Sequence, residues 1–200
     1  MSIDLYMFAG VNGAGKSTLY SSIAASERPK IKRSRRANAD EIARENHWDW
    51  RDPISNLKAM RIEVKNIHSF IANKQSFNME TTLASSKKTY VNILRSAKAQ
   101  GFTTHLLYVG VDGPELAKER VKARVAKGGH GIPDEVIDRR YTKSIRNLKL
   151  LAPLFDSVEL YDNTKMFQTV YERNKTKIVA LKRSVVWAQA SIKADQQAIS

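Results

Sequence analysis

Cysteine is absent from the 200 residues, which excludes disulfide scaffolds and thiolate metal sites. Histidine is scarce: His47, His68, His105 and His130 stand far apart, without the close spacing of a structural zinc site. No apolar stretch approaches the roughly 20 residues that cross a bilayer. The opening Met1-Ser2-Ile3-Asp4 has no basic segment and carries an early acid, which argues against a secretory leader. Repeats, low-complexity tracts and linkers are missing, so one domain over 1–200 is expected. Acids are the minority charge, 20 against 34 Lys and Arg, for a net charge of +14. That balance favours polyanionic partners (nucleotides, nucleic acid, acidic proteins) without choosing among them. These absences together imply a soluble cytoplasmic protein without a membrane partner.

What the chain does contain is concentrated near its start. Gly10-Val11-Asn12-Gly13-Ala14-Gly15-Lys16-Ser17-Thr18 fits G-x-x-x-x-G-K-[ST], the loop whose main-chain N–H groups cradle phosphates. The apolar segment Ile3 to Ala9 reads as a buried strand before it, and Ser17 to Ala25 as a helix after it. A helix that starts there points its positive end at the bound anion. Lys16 is expected to reach the β- and γ-phosphates and the Ser17 hydroxyl to ligate Mg²⁺. The expected cofactors are therefore ATP or GTP and Mg²⁺.

Further along, strands alternate with helices. Glu27 to Arg36 reads as a basic loop, Ala37-Asn38 as a short strand, and Asp40 to Glu45 as a helix. Trp48 to Pro53 reads as a loop with exposed aromatics. Leu57, Met60, Val64, Ile67 and Ile71 recur at helical spacing and predict one apolar face. Strands are expected at Ser76 to Thr82, Thr103 to Val111 and Val158 to Tyr161. Helices are expected at Lys87 to Gln100, with Gly101 as its stop, from Pro114 to about Ala126, and from Asp134 to Leu151. A hairpin about Asn174 and a final helix from Ser184 complete the chain within 165–200. The pattern is α/β: a three-layer P-loop NTPase/kinase fold, with a central mainly parallel sheet, helices on both faces and a helical lid over about 113–151. Ligands in such folds bind at the carboxyl ends of the strands.

Three clusters fall in that zone. Asp40, in Asn38-Ala39-Asp40, can take a proton from a hydroxyl or cap the helix it opens. Glu80-Thr81-Thr82 can orient a polyol by hydrogen bonds, or simply suit a strand end. Arg120 and Arg124 share one helix face and Arg139 and Arg140 lie on the next helix. A glycine-hinged lid with those arginines would stabilise a transferring phosphoryl group. His130 lies in the loop between them and suits phosphate or a plain turn. Asp112, after the Thr103 to Val111 strand, would assist a metal or make a turn. The run Lys30 to Arg36 lacks the spaced aromatics of a base-stacking surface, which argues against nucleic acid and for a mobile basic loop or partner contact.

The phosphate loop, Asn38-Ala39-Asp40-Glu41, Asn78-Met79-Glu80-Thr81-Thr82, the stretch Arg120 to Tyr141 with its Gly-Gly-His-Gly-Ile-Pro loop, and Tyr161-Asp162-Asn163-Thr164 together resemble the zeta toxin family over about Ile3 to Thr164. The resemblance implies a P-loop kinase that moves the γ-phosphate of a nucleoside triphosphate to a hydroxyl of UDP-N-acetylglucosamine or a related UDP-sugar and is held inactive by an antitoxin. It implies Gly10, Asn12, Gly13, Ala14, Gly15, Lys16, Ser17 and Thr18 at the nucleotide, with Ser17 on the metal. It makes Asp40 the catalytic base and Lys16, Arg120 and Arg124 catalytic cations. Asp40 again, with Glu80, Thr81, Thr82, His130, Arg139 and Arg140, falls to the substrate. Larger members carry a second lid arginine where this chain has Lys127 to Gly131, so Lys127, His130, Arg139 or Arg140 must take that part. Rival expectations are a metabolite or antibiotic kinase of the same fold and a nucleotide-regulated nucleic-acid-binding protein.

Overall fold

The computed structural model describes residues 2–25, 29–49, 51–182 and 184–199. Its centre is strand β1 (Ile3–Ala9), paired in parallel on one side with β3 (Phe77–Thr81) and on the other with β4 (Phe102–Gly110). Strand β2 (Arg35–Ala37) lies outside β3, and β5 (Ser157–Asp162) outside β4, both parallel. An antiparallel hairpin, β6 (Gln168–Asn174) and β7 (Lys177–Leu181), closes the order β2-β3-β1-β4-β5-β6-β7. The sheet is thus mainly parallel, and its order reverses at β1, where such sheets open a ligand crevice.

Alternation along the strands builds two cores. Leu5, Met7 and Ala9 of β1, with Leu106 and Tyr108 of β4, face one core. Tyr6, Phe8, Leu107 and Val109 face the other. The first is covered by α4 (Pro53–Ala72), α5 (Lys87–Ala99) and α8 (Val186–Ile199) through Ile67, Ile71, Tyr90, Leu94, Trp187 and Ile192. The second is covered by α1 (Lys16–Ala25), α2 (Pro29–Arg33) and α6 (Pro114–Ala126) through Leu19, Ile23, Ile31, Ala117 and Val121. Helix α7 (Asp134–Leu151) gives Ile137 to the second core and Leu148 to the first. It therefore crosses from one face to the other at the strand ends, where Tyr141 Oη donates to the Val111 carbonyl. Helix α3 (Ala39–Glu45) follows β2 directly.

Two local expectations are corrected. The basic stretch Lys30 to Arg36 is no mobile loop: α2 and β2 occupy it, Ile31 is buried, and Arg36 faces inward. Glu27 and Arg28 of the expected loop Glu27 to Arg36, like Trp50 of the aromatic tract, lie outside the described residues. The apolar face of α4 also holds only in part. Ile67 and Ile71 are core residues, whereas Leu57, Met60 and Val64 are exposed. The N-terminal half of α4 runs past the core and borders a cavity instead.

Candidate active site

The phosphate loop bends between β1 and α1 on glycines that accept no side chain. Gly10 and Gly13 have φ of 140° and 81°. A Cβ would lie 2.2 Å from the Val109 carbonyl oxygen at the first and 2.5 Å from that of Ala117 at the second. The loop is thereby pressed against β4 and α6. Lys16 Nζ donates to the Val11 carbonyl at 3.3 Å and lies 3.9 Å from Glu80 Oε1. Burial lowers the Lys16 pKa, and the nearby Glu80 and Asp40 carboxylates oppose that fall. Asn163 Nδ2 donates to the Ala14 carbonyl at 2.8 Å, so the segment after β5 braces the loop from the far side.

At the end of β3, Glu80 accepts from Ser17 Oγ at 3.1 Å, Arg36 Nη2 at 2.9 Å and Asn38 Nδ2 at 3.2 Å. Arg36 also forks onto Glu41, donates to Asn78 at 2.8 Å and stacks 3.8 Å from the Tyr20 ring centroid. The hydroxyl of Ser17 beside a carboxylate, at the start of α1, is the oxygen donor set that suits Mg²⁺. Arg36 carried no mark in the sequence beyond belonging to a basic run. Its place one residue before Ala37-Asn38 is the only trace of it.

The two readings of Asp40 separate at the cap of α3. Asn38 makes the cap: its Oδ1 accepts from the backbone N–H of Asp40 and Glu41 at 2.9 and 3.3 Å. The Asp40 carboxylate is left 71% exposed, 3.8 Å from His130 Nδ1. Asp40, Lys16, Glu80, Thr81 and Thr82 line one cavity of about 520 Å³. The lid supplies its other wall through Arg124, His130, Arg139, Arg140 and Lys143. Arg140 Nη1 reaches across to Asn12 Oδ1 of the phosphate loop at 2.9 Å. Arg124 donates twice to the His130 carbonyl, at 3.0 and 2.5 Å, and crosses where a Cβ on Gly129 would meet its Cγ at 2.6 Å. Burial lowers the pKa of His130, partly offset by Asp40.

Not every expected residue gathers there. Arg120 is not among the cavity's lining residues; its Nη2 donates to the Thr164 carbonyl at 3.1 Å, behind the phosphate loop. The Thr81 hydroxyl, though at the cavity, is engaged by Tyr90 Oη at 3.0 Å and by the Leu83 N–H at 3.1 Å. Asp112 offers its backbone N–H to Thr164 Oγ1 at 3.0 Å and serves the turn. The sequence reading also missed Asn56, Met60 and Glu63, which line the cavity from α4. Their spacing, at 56, 60 and 63, places them on one helical stripe, but nothing in that spacing tells a cavity wall from a solvated face. Among the described residues no cluster of three or more His, Cys, Asp or Glu is placed to hold a metal, and no helix is long and apolar enough to cross a membrane.

A strand–loop–helix phosphate cradle, a strand-end carboxylate against its serine, and arginines overhead from a helical pair define a P-loop phosphotransferase. Within that class, the chain belongs to the zeta toxin family, whose model matches residues 3–179. An uncharacterized protein of Haemophilus influenzae is 33% identical over 135 residues, which cover 67% of this chain and 89% of that one. Solved structures share the fold at low identity. A chain from the PezAT chromosomal toxin-antitoxin system of Streptococcus pneumoniae aligns with a TM-score of 0.66 at 14% identity, over 98% of this chain and 87% of that one. The AvrRxo1-ORF1:-ORF2 complex aligns at 0.69 and 11% identity over 95% of this chain, which spans 64% of the matched one. The same complex solved with ATP also aligns at 0.69.

Proposed function

We propose that this protein transfers the γ-phosphoryl group of ATP to a hydroxyl of a UDP-activated amino sugar of the UDP-N-acetylglucosamine type, as the toxin of a toxin–antitoxin pair. The observation that carries the reading is the shared cavity: Lys16 of the phosphate loop and the uncapped carboxylate of Asp40 line one space. Nucleotide phosphates on the loop and an acceptor alcohol beside Asp40 would meet there.

The roles follow from the chemistry of each group. Asp40 takes the acceptor proton as the hydroxyl attacks in line. Lys16 neutralises the β- and γ-phosphates. Arg140, already in contact with the loop through Asn12, takes the part of the second lid cation, and Arg124 holds the lid loop beside it through His130. These cations stabilise the charge that develops on the transferring group. Ser17 would hold Mg²⁺, with Glu80 behind its hydroxyl, and the ion would screen the phosphate charge. Glu80 has so many donors from Ser17, Arg36 and Asn38 that it serves the nucleotide side before the sugar. Arg120 supports the nucleotide from behind the loop rather than the reacting group. Arg139 and Lys143 sit four apart on the lid wall of the cavity, a spacing that suits the acceptor's diphosphate.

Support for an inhibitory partner comes from the net charge of +14, which suits an acidic protein, and from the fold shared with a toxin–antitoxin system. The test is incubation of the purified chain with labelled ATP, Mg²⁺ and a panel of UDP-sugars, free sugars and small alcohols. Labelled UDP-amino sugar is the expected product. Asp40→Asn should lower kcat by about 10²- to 10⁴-fold with little change in ATP affinity. No transfer to any member of the panel by protein that binds ATP would refute the reading, and transfer to a small alcohol alone would replace it with a metabolite kinase.

A further inference from the structure

The cavity holds a third carboxylate to which the transfer step gives no task. Glu63 enters from α4, on the same helical face as Asn56 and Met60, and shares the cavity with Arg139, Arg140 and Lys143 of α7. Ala39 and Asp40 line the same cavity, so the Glu63 carboxyl shares the space around the proposed base. Asp40 and Glu80 spend their charge on the acceptor proton and on Ser17 and Arg36. Glu63 is spent on neither.

We infer that Glu63 is a specificity-determining residue that donates a hydrogen bond, as a carboxylic acid, to the amide carbonyl of an acylated amino sugar. The inference rests on the reading of this cavity as the acceptor site. A carboxylic acid has one O–H donor beside its acceptor oxygens, whereas a carboxylate has no donor at all. An amide carbonyl can only accept. The surroundings favour the acid: burial raises the Glu63 pKa to about 7, the Ala39 N–H and the Arg36 guanidinium pull it down, and the Asp40 and Glu80 carboxylates push it up. The two walls then divide the acceptor between them. Cations of α7 suit its phosphates, the α4 wall suits its acylamino end, and Asp40 stands at the hydroxyl between.

The discriminating experiment compares UDP-N-acetylglucosamine with UDP-glucose, which lacks the amide, for the wild type, Glu63→Gln and Glu63→Ala between pH 6 and 8.5. Wild type should prefer the amide-bearing sugar by about tenfold at pH 6, the weight of one hydrogen bond, and lose most of that preference by pH 8.5 through KM rather than kcat. Glu63→Gln keeps a donor at every pH and should hold the preference throughout; Glu63→Ala should lack it throughout. A preference that ignores pH in wild type, or survives in Glu63→Ala, overturns the assignment while leaving the kinase reading intact. If wild type phosphorylates neither sugar nucleotide, the kinase reading fails separately. Equilibrium binding of UDP-N-acetylglucosamine to the three proteins then decides Glu63. Affinity kept in Glu63→Gln and weakened in Glu63→Ala supports it, and any other pattern, including no binding, overturns it.

Discussion

Arg36 shows how one side chain can set a site without touching a substrate. It is 15% exposed, forked onto Glu41 and Glu80, and sandwiched against Tyr20. Removing it leaves the Glu80 carboxylate, itself 12% exposed, without its main counter-charge. Breaking one side of such a pair typically costs about 3–5 kcal/mol. Arg36→Ala should therefore lose stability on that scale in urea unfolding, and Arg36→Lys should recover only part of it, since an ammonium cannot fork. Glu63 carries a pH signature of its own. Its pKa in the folded chain, about 7, stands above the usual glutamate value of 4.5. Between those values the folded state keeps a proton that the unfolded state has released, so stability falls as pH rises through the window. Glu63→Gln removes that loss. Its melting temperature relative to wild type should climb from pH 5 to pH 8, and a constant difference would show that the group does not titrate there.

Elements place these residues more firmly than their own sequences suggest. The lid is two helices locked together: Lys118 meets Asp138 at 2.9 Å and Lys122 meets Asp134 at 2.9 Å, while Arg124 ties the connecting loop. Its free joint is at the start of α6, at Gly113, with φ of 87° and open space around it. Motion is thus expected of the hairpin as a body, not of the loop between its helices. Helix α8, beyond the family match, is fastened by the buried pair of Arg173 and Asp195, 2.6 Å apart and 2% and 1% exposed. Tyr171 Oη also donates to Asp195, and Trp187 Nε1 donates to Asp162 beside the loop that braces the phosphate cradle. Asp195→Ala should cost about 3–5 kcal/mol, because Arg173 would be left buried without its partner. Chemical denaturation gives that number directly. Full stability in the variant would mean that α8 is not fastened by this pair.

Over the whole molecule, the cradle is the seam between the two cores. Val11 and Ala14 pack in one, β1 feeds both, and α7 crosses above. A ligand seated there should stabilise the entire chain. ATP with Mg²⁺ at 100 times its Kd contributes about 2.7 kcal/mol, or roughly 5–10 °C in Tm for a chain of this size. Thermal scans of wild type against Lys16→Ala, with and without nucleotide, would show it; equal shifts in both proteins would place ATP elsewhere.

The strands and most helices were legible because each announced itself locally. The apolar run before the phosphate loop, Pro114 opening α6 and Gly101 closing α5 are local physics, and the structure keeps them. The phosphate loop was legible for the same reason: its glycines meet conformational demands that arise within a few residues. The face of α4 was misread because burial depends on what lies opposite, and half of that helix outruns the core. Arg36 was hidden because its partners, Asn78 and Glu80, are more than forty residues away. Glu63 was hidden because a carboxylate on a helix looks the same whether water or Asp40 faces it. So the sequence alone determined the cradle and the class of sheet, since these are fixed by short-range sterics and periodicity. Only the tertiary structure decided which of two asparagine and aspartate neighbours caps α3, which lid arginine reaches the loop, and which acids share one cavity, since those depend on distances between segments that the chain brings together from afar.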